Sequence, residues 1–280
     1  MAAAQPAPAS RAATPAYGII HGMRIIAHTC SNTEIVCALG RADWLVGVDD
    51  HSDYPADIVA GLPRIGADLD VDIERIRRLQ PDLVITSLTV PGHERCLERI
   101  AAAGLPHLVT QPTSLADVVA DIRRIGAALH AQVPAAALAA RFEQLLAQPQ
   151  THSPGPPILV EWWPKPVIVP GAKSWVNEML RLAGGHNPWQ EHDGESLSVA
   201  TAQVQHAAPE AVIMSWCGVQ EDKYRAHVVR RRAGWQQVPA IRENRIYPLS
   251  EAWLGRPGPR LLQGIERLRE IISGIGPNAR

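Results

Sequence analysis

The sequence predicts an α/β protein of two lobes, each with a central parallel sheet, joined by a single interlobe α-helix. Three observations predict it. A strand–helix alternation starts at Met23, the pattern that favours a parallel sheet covered by helices. The Ala- and Leu-rich run Pro134–Gln148, followed by the Pro-rich tract Pro149–Pro157, interrupts the alternation, which restarts at Ile158. The third is an internal repeat: IERIRRLQPDLVITS (Ile73–Ser87) aligns without gaps on TAQVQHAAPEAVIMS (Thr201–Ser215). The units this predicts are 1–22, an Ala/Pro-rich leader expected to be disordered; 23–131, the first lobe; 132–150, the interlobe helix; and 151–280, the second lobe.

The elements follow in order. Arg24–Ala27 reads as a short strand, Cys30–Thr33 as a turn capped by Ser31 or Asn32, and Thr33–Leu39 as a helix ended by Gly40. Leu45–Val48 is the next strand, leading into the polar loop Asp49–Pro55. Asp72–Leu79 is a short helix with Ile73, Ile76 and Leu79 on one side, stopped by Pro81, and Leu83–Thr86 is a buried strand. His93–Ala103, His107–Val109 and Ser114–His130 complete the first lobe. Pro134 suits the first turn of the connecting helix, whose length is roughly 22 Å at 1.5 Å per residue. In the repeat, Pro81, Asp82, Val84-Ile85 and Ser87 match Pro209, Glu210, Val212-Ile213 and Ser215, and Glu34–Gly40 and Glu178–Gly184 echo each other as helix ends closing at Gly. Two related lobes place a cleft where the carboxyl ends of the strands face each other, the usual ligand position in open α/β folds.

Composition narrows the function classes. The 280 residues are 46% hydrophobic and 20% charged with a formal net charge of -1, so no electrostatic footprint points to nucleic acid or an anionic membrane. No run approaches the apolar length of a membrane span. Cys30, Cys37, Cys96 and Cys217 show no paired spacing and no C-x-x-C, which indicates neither a disulfide framework nor a zinc knuckle. The leader lacks the basic and unbroken apolar regions of a secretory signal, so the chain reads as cytoplasmic. There is one Phe against eight Trp, and indoles suit surfaces that are apolar on one side and polar on the other.

Trp162 and Trp163 follow the strand Ile158–Glu161, Trp216 follows Val212–Met214, and Trp253 follows Tyr247–Leu249. Each is a candidate for the cleft, with core or rim packing as its alternative. Lys165 and Arg256 are candidate donors to a ligand's polar rim or solvated cations. Ser174 opens a helix to Ala183; it and Ser31-Asn32 offer free N–H groups to an anion or simply cap. Cys30, His51 and Cys217 lie just beyond strands and form a possible set of soft and borderline metal ligands, with His51 the chemically sensible axial ligand. Glu191–Glu195, Arg230–Arg232 and Asp49-Asp50 read as solvated loop or helix-end charges. No G-x-S-x-G, P-loop or H-E-x-x-H is present, so no enzyme motif appears.

The chain resembles the helical-backbone metal-chelate receptors, the substrate-binding proteins of cobalamin, haem and iron-siderophore ABC transporters. The likeness rests on Asn32-Thr33-Glu34, Val48 with Ser52-Asp53-Tyr54-Pro55, Ile73-Glu74-Arg75-Ile76, Pro81–Ile85, Pro209–Ile213, and Trp253 with Arg256 and Pro259-Arg260. Ser52–Pro55 and Trp253…Arg256 are most similar to cobalamin-binding members. The resemblance implies two Rossmann-like lobes bridged by a stiff helix, no cofactor of the protein's own, and a bulky chelate as ligand: cobalamin or another corrinoid, with haem or an iron-siderophore as alternatives. It also adds Tyr54 to the ligand set. A second hypothesis is a cytosolic enzyme that processes a corrinoid or chelate in the same cleft. Family members dock on an ABC permease through one surface Glu per lobe; Glu74 matches the first, and Ala202 stands at the second. An aromatic where this chain has His51, and an acid where it has Ala252, are further departures.

Overall fold

The computed structural model describes residues 22–149 and 155–275; the expected leader lies almost wholly outside them, at 1–21. Hydrophobic alternation gives way to continuous burial in the central strands, because helices cover both faces. The first sheet is parallel, in the order Leu45–Val48, Ile25–Ala27, Leu83–Ser87, His107–Thr110. The second is parallel in the order Ile158–Glu161, Ala211–Met214, Ile246–Pro248, and every residue of its first two strands is buried. A small antiparallel sheet of Trp163–Pro164, Val167–Pro170 and Ser196–Ser198 is inserted into the second lobe.

The repeat is visible as geometry. Leu83 pairs with Ile25 in the first lobe, and its counterpart Ala211 pairs with Ile158 in the second. Both short helices end with a non-glycine residue at positive φ, Gln80 at 47° and Ala208 at 45°, which are equivalent positions of the alignment. The following acids then hold the chain in the same way: the amide of Asp82 donates to the carbonyl of Arg24, and that of Glu210 to the carbonyl of Pro157, each just before the lobe's first strand. A bridge between Pro157 and His186 takes the place that Leu45–Val48 occupies in the first sheet.

The connecting helix spans Gln132–Leu146, two residues earlier at both ends than the run Pro134–Gln148 and within the unit 132–150. Pro134 still sits in its first turn, where its missing N–H leaves no helical bond unmade. The helix packs Ala135, Leu138, Ala139 and Phe142 inward, against the helix Leu115–Ala128. There the backbones come close: a Cβ at Gly126 would stand 2.3 Å from that of Ala135. Leu115–Ala128 is opened by a reciprocal capping box of Ser114 and Asp117. The terminal helix Leu261–Ser273 adds Leu261, Leu262, Ile265 and Leu268 to an apolar cluster that also holds Val118, Ile122, Val176 and Met179. One core therefore runs through both lobes, and opening them apart exposes apolar surface.

The first helix departs most from expectation. It covers Cys30–Ala38, with Thr29 as N-cap at φ 83° and ψ 143°. Cys30, Ser31 and Asn32 thus belong to its first turn and not to a preceding loop. Asn32 is fixed by two bonds, from its amide to the carbonyl of His28 (2.9 Å) and from the Thr110 hydroxyl (3.3 Å). A positive φ at a β-branched residue is a strained conformation of the kind that collects at functional sites.

Candidate functional site

At the carboxyl ends of the two sheets lies a cleft of about 1180 Å³. Its first-lobe wall carries Thr29, Cys30 and Ser31 from the first helix, Asp49, His51 and Asp53 from the loop after Leu45–Val48, and Asp68 and His93. Its second-lobe wall carries Trp162, Trp163, Lys173, Ser174, Trp175, Cys217, Glu251 and Arg256. The floor volume and the mixture of flat apolar and polar groups suit a large ligand.

Of the four indoles expected at the cleft, the structure brings two there. Trp163 is 41% exposed, and its Nε1 donates to the carbonyl of Lys165 at 3.1 Å. Trp162 is half-buried and backed by the core, with its backbone tied to Ile168 and Cys217 on either side. Trp216 is not a cleft residue: it lies in the second-lobe core, its Nε1 donating to Glu161 at 3.0 Å, its ring 5.3 Å from that of Tyr224. Trp253 packs on the shared core outside the lining. Trp175, which sequence reasoning missed, lines the cleft instead and donates through Nε1 to the carbonyl of Leu254 at 2.7 Å. The available signal was its place directly after Lys173-Ser174 at a helix start.

The polar candidates also divide. Ser31 and Ser174 line the cleft while nearly buried. Asn32 is a structural clamp, as above. Lys165 is exposed and outside the lining. Tyr54 is 46% exposed, outside the lining, and covered by the Arg260 guanidinium 4.4 Å from its ring centroid. Arg256 reaches the cleft, but its guanidinium is engaged by Asp53 of the other lobe, at 2.5 and 3.2 Å in a two-pronged pair.

That pair belongs to a cross-lobe cluster. Glu34, on the first helix, is 3% exposed and receives both Nε (2.9 Å) and Nη2 of Arg260, with Arg256 3.5 Å away. Burial raises the carboxyl of Glu34, while the two guanidiniums oppose that shift. Burial also works to raise Asp53, but its bonds with Arg256 outweigh it and leave the carboxyl below its ordinary value. A second buried pair, Glu161 with Arg232 at 2.6 Å, lies inside the second lobe. Arg232 is therefore not a solvated helix-end charge: it is sandwiched between Glu161 and the Trp235 ring, 4.3 Å from the centroid. Asp49 likewise needs more than solvent, since it is fully buried and accepts from the Ser52 hydroxyl (2.5 Å) and the His51 amide (2.9 Å).

The first-lobe wall also holds an unexpected group of imidazoles around Asp68. His28 is fully buried; its Nε2 donates to the Asp68 carbonyl (2.6 Å), which fixes the tautomer, so Nδ1 accepts from the Thr86 hydroxyl (2.7 Å). Burial lowers its pKa and keeps it neutral. His93, 1% exposed, has no hydrogen-bond partner at either ring nitrogen, and its Nε2 faces Asp68 Oδ2 at 3.7 Å. His51 Nε2 faces Asp68 Oδ1 at 3.6 Å, its side chain 55% exposed. The His93 imidazole and, more weakly, His51 hold the Asp68 carboxyl below its usual value against the opposing effect of burial.

Desolvation pushes Cys217 up to about 12 and Cys30 further, so both are thiols at neutral pH. Cys30 Sγ donates to the carbonyl of His51 at 3.0 Å. No group of three or more His, Cys, Asp or Glu side chains among the described residues is arranged to hold a metal ion. In the loop Glu191–Glu195, Asp193 pairs with Lys173 at 2.9 Å on the surface. Glu74 and Ala202 are both exposed, each on the repeat helix of its lobe. No helix among the described residues is long and apolar enough to cross a membrane.

A family model described as "Periplasmic binding protein" matches residues 25–252. The chain is 28% identical over 258 residues to YvrC, an uncharacterized ABC transporter substrate-binding lipoprotein of Bacillus subtilis, covering 89% of this chain and 79% of that one. It is 28% identical over 257 residues to a vitamin B12-binding protein of Vibrio parahaemolyticus, covering 90% of each. Among solved structures it superposes with TM-score 0.77 on the periplasmic haem-binding protein RhuT of Roseiflexus sp. RS-1, at 28% identity and covering 91% of this chain and 99% of that one. With the vitamin B12-binding protein BtuF of Vibrio cholerae it shares the fold, at TM-score 0.72 and 24% identity over 90% and 97% of the two chains.

Proposed function

We propose that this chain, which belongs to the periplasmic binding protein family, is the substrate-binding component of an ABC transporter and carries a flat metal chelate between its lobes. It acts by binding and not by catalysis, as the family does. The observation that carries the chelate reading is the composition of the cleft: Trp162, Trp163 and Trp175 on one wall and the imidazole and carboxylate groups on the other, around about 1180 Å³. A planar macrocycle has two apolar faces and a polar edge, and this wall pair offers a match to both.

A corrinoid such as cobalamin is the first choice of ligand. A vitamin B12-binding protein matches across nine-tenths of each chain, and haem, for which the protein of a similar structure is named, is the second. The ligand's polar edge meets Ser31, Ser174 and the charged pair Asp53–Arg256, whose guanidinium is released to the ligand only if the cross-lobe bond rearranges. Glu74 offers the first lobe's contact to a permease, while Ala202 removes a carboxylate from the matching place, so docking leans on the first lobe. The working compartment is extracytoplasmic, as in these relatives; the cytoplasmic expectation rested on residues outside the described ones.

Calorimetry and visible spectra with cobalamin, cobinamide, haem and a ferric siderophore, each added separately to the purified chain, test this. One-to-one binding of a tetrapyrrole, weakened in Trp163→Ala, is the expected result. Failure of all four ligands would remove the chelate reading.

A further inference from the structure

We propose that Asp68, backed by His93, is a positioning residue that aims the His51 imidazole at the metal of the bound chelate; this rests on the reading of the cleft as a chelate site. A metal-binding imidazole commonly presents its other ring nitrogen to a carboxylate, which fixes its tautomer and makes it a better ligand. His51 is placed for this. Its Nε2 is 3.6 Å from Asp68 Oδ1, its side chain is 55% exposed in the cleft wall, and the nitrogen left for a metal is Nδ1. Its backbone is pinned at both ends, the amide by Asp49 Oδ1 (2.9 Å) and the carbonyl by Cys30 Sγ (3.0 Å).

Asp68 is held more rigidly than an ordinary turn residue. It sits between the two short strands Gly66–Ala67 and Asp70–Val71, and its carbonyl is gripped by His28 Nε2 (2.6 Å) and Cys96 Sγ (3.4 Å). Both grips come from buried side chains of other elements. Its second carboxylate oxygen faces the buried His93 at 3.7 Å. His93 has no other polar partner for either nitrogen, which an apolar residue of the same shape would not require. The arrangement makes sense if His93 occupies Oδ2 so that Oδ1 remains directed at His51. The ligation step is a simple exchange: water leaves the chelate's metal and the Nδ1 lone pair takes its place, with the Nε2 proton held toward Asp68.

Aquocobalamin and ferric haem are the probes, each titrated into the full chain while the visible spectrum and binding heat are followed. For wild type the aquo spectrum is expected to convert to a nitrogen-ligated one on binding. His51→Ala is expected to bind without that conversion, and added imidazole to restore it. Asp68→Asn, which keeps shape and fold, is expected to retain bulk binding while the equilibrium constant for conversion falls about tenfold, the lower end of losses for such outer partners. His93→Phe is expected to give a smaller loss in the same direction, with circular dichroism unchanged. A ligated spectrum in Asp68→Asn equal to wild type, or conversion surviving in His51→Ala, overturns the positioning role while leaving chelate binding intact. Absence of binding by both probes overturns the chelate reading and this inference together.

Discussion

The two walls of the cleft are built from related halves and made of different chemistry. The first lobe offers the acid Asp68 between His51 and His93, with the buried His28 behind it on the Asp68 carbonyl. The second offers indoles, Trp162, Trp163 and Trp175. The same helix–Pro–strand frame occurs twice, down to the positive φ at Gln80 and Ala208, while the strand ends carry different residues. One wall thus presents polar and titratable groups to the cleft, the other flat apolar rings.

The same contrast holds for the two buried ion pairs, and it gives the largest expected effect. Glu161–Arg232 lies within the second lobe, whereas Glu34–Arg260 crosses between lobes. Removing one partner of a buried pair typically costs about 3–5 kcal/mol. Glu34→Ala and Glu161→Ala are each expected to lose stability of that order in urea unfolding. Only Glu34→Ala is expected also to weaken ligand binding through the lobe interface, while Glu161→Ala frees the Trp216 indole N–H inside the core. Replacing both partners, Glu34→Leu with Arg260→Met, is expected to recover most of the lost stability, because no charge is then left buried alone. Equal ligand affinity for Glu34→Ala and wild type would show that the cross-lobe pair is only a strut.

The indole wall predicts the next effect. Trp163→Ala and Trp162→Ala are each expected to weaken tetrapyrrole binding by about tenfold to a hundredfold, the range of central aromatic anchors, as read by calorimetry. Trp253→Ala is expected to lose stability and leave affinity nearly unchanged, since its ring packs on the shared core outside the lining. A large affinity loss in Trp253→Ala would return that residue to the ligand wall.

A smaller effect concerns Thr29, which enters the cleft with φ 83°. Thr29→Gly relieves a strained conformation, partly offset by the greater freedom of glycine in the unfolded chain, and is expected to stabilise the fold by about 1 kcal/mol. Thermal and urea unfolding check the sign. A loss of stability would show that the Thr29 side chain, 3.1 Å from the Ser31 hydroxyl, contributes more than its backbone costs.

What the sequence made legible follows from what is local. Strand–helix alternation, the repeat and the connecting helix depend on neighbours along the chain, and the two-lobed fold was read from them. The cleft's frame was legible for the same reason, since residues just beyond strands point to the same end of a sheet. That rule brought in Cys30, His51, Trp162 and Trp163, while Ser31 and Ser174 came from helix starts and Arg256 from its charge, but it could not separate Trp162 from Trp216. The difference lies in Glu161, whose buried carboxylate draws the Trp216 indole into the core. His93 and Asp68 lie 25 residues apart in sequence, on a helix start and a hairpin, and no periodicity joins them. Only three-dimensional packing brings them beside His51.

The smallest expected effect separates the walls by pH. Asp68 has its carboxyl held below the ordinary value of 3.8, mainly by His93, so it adds stability that is present above that value and lost as pH falls through the folded one. Glu34 has its carboxyl raised above 4.5 by burial, so its contribution is fully present below 4.5 and is lost as pH rises through the folded value. The two groups therefore act with opposite sign in neighbouring windows. Asp68→Asn is expected to flatten the acid loss below pH 3.8, and Glu34→Gln to flatten the decline above pH 4.5, in unfolding measured across the acidic range. Trp163→Ala, on the indole wall, is expected to leave both slopes as they are. If Asp68→Asn left the acid limb unchanged, the imidazoles would not be stabilising that carboxylate in the folded chain, and the first wall would be a polar surface without a fixed charge at its centre.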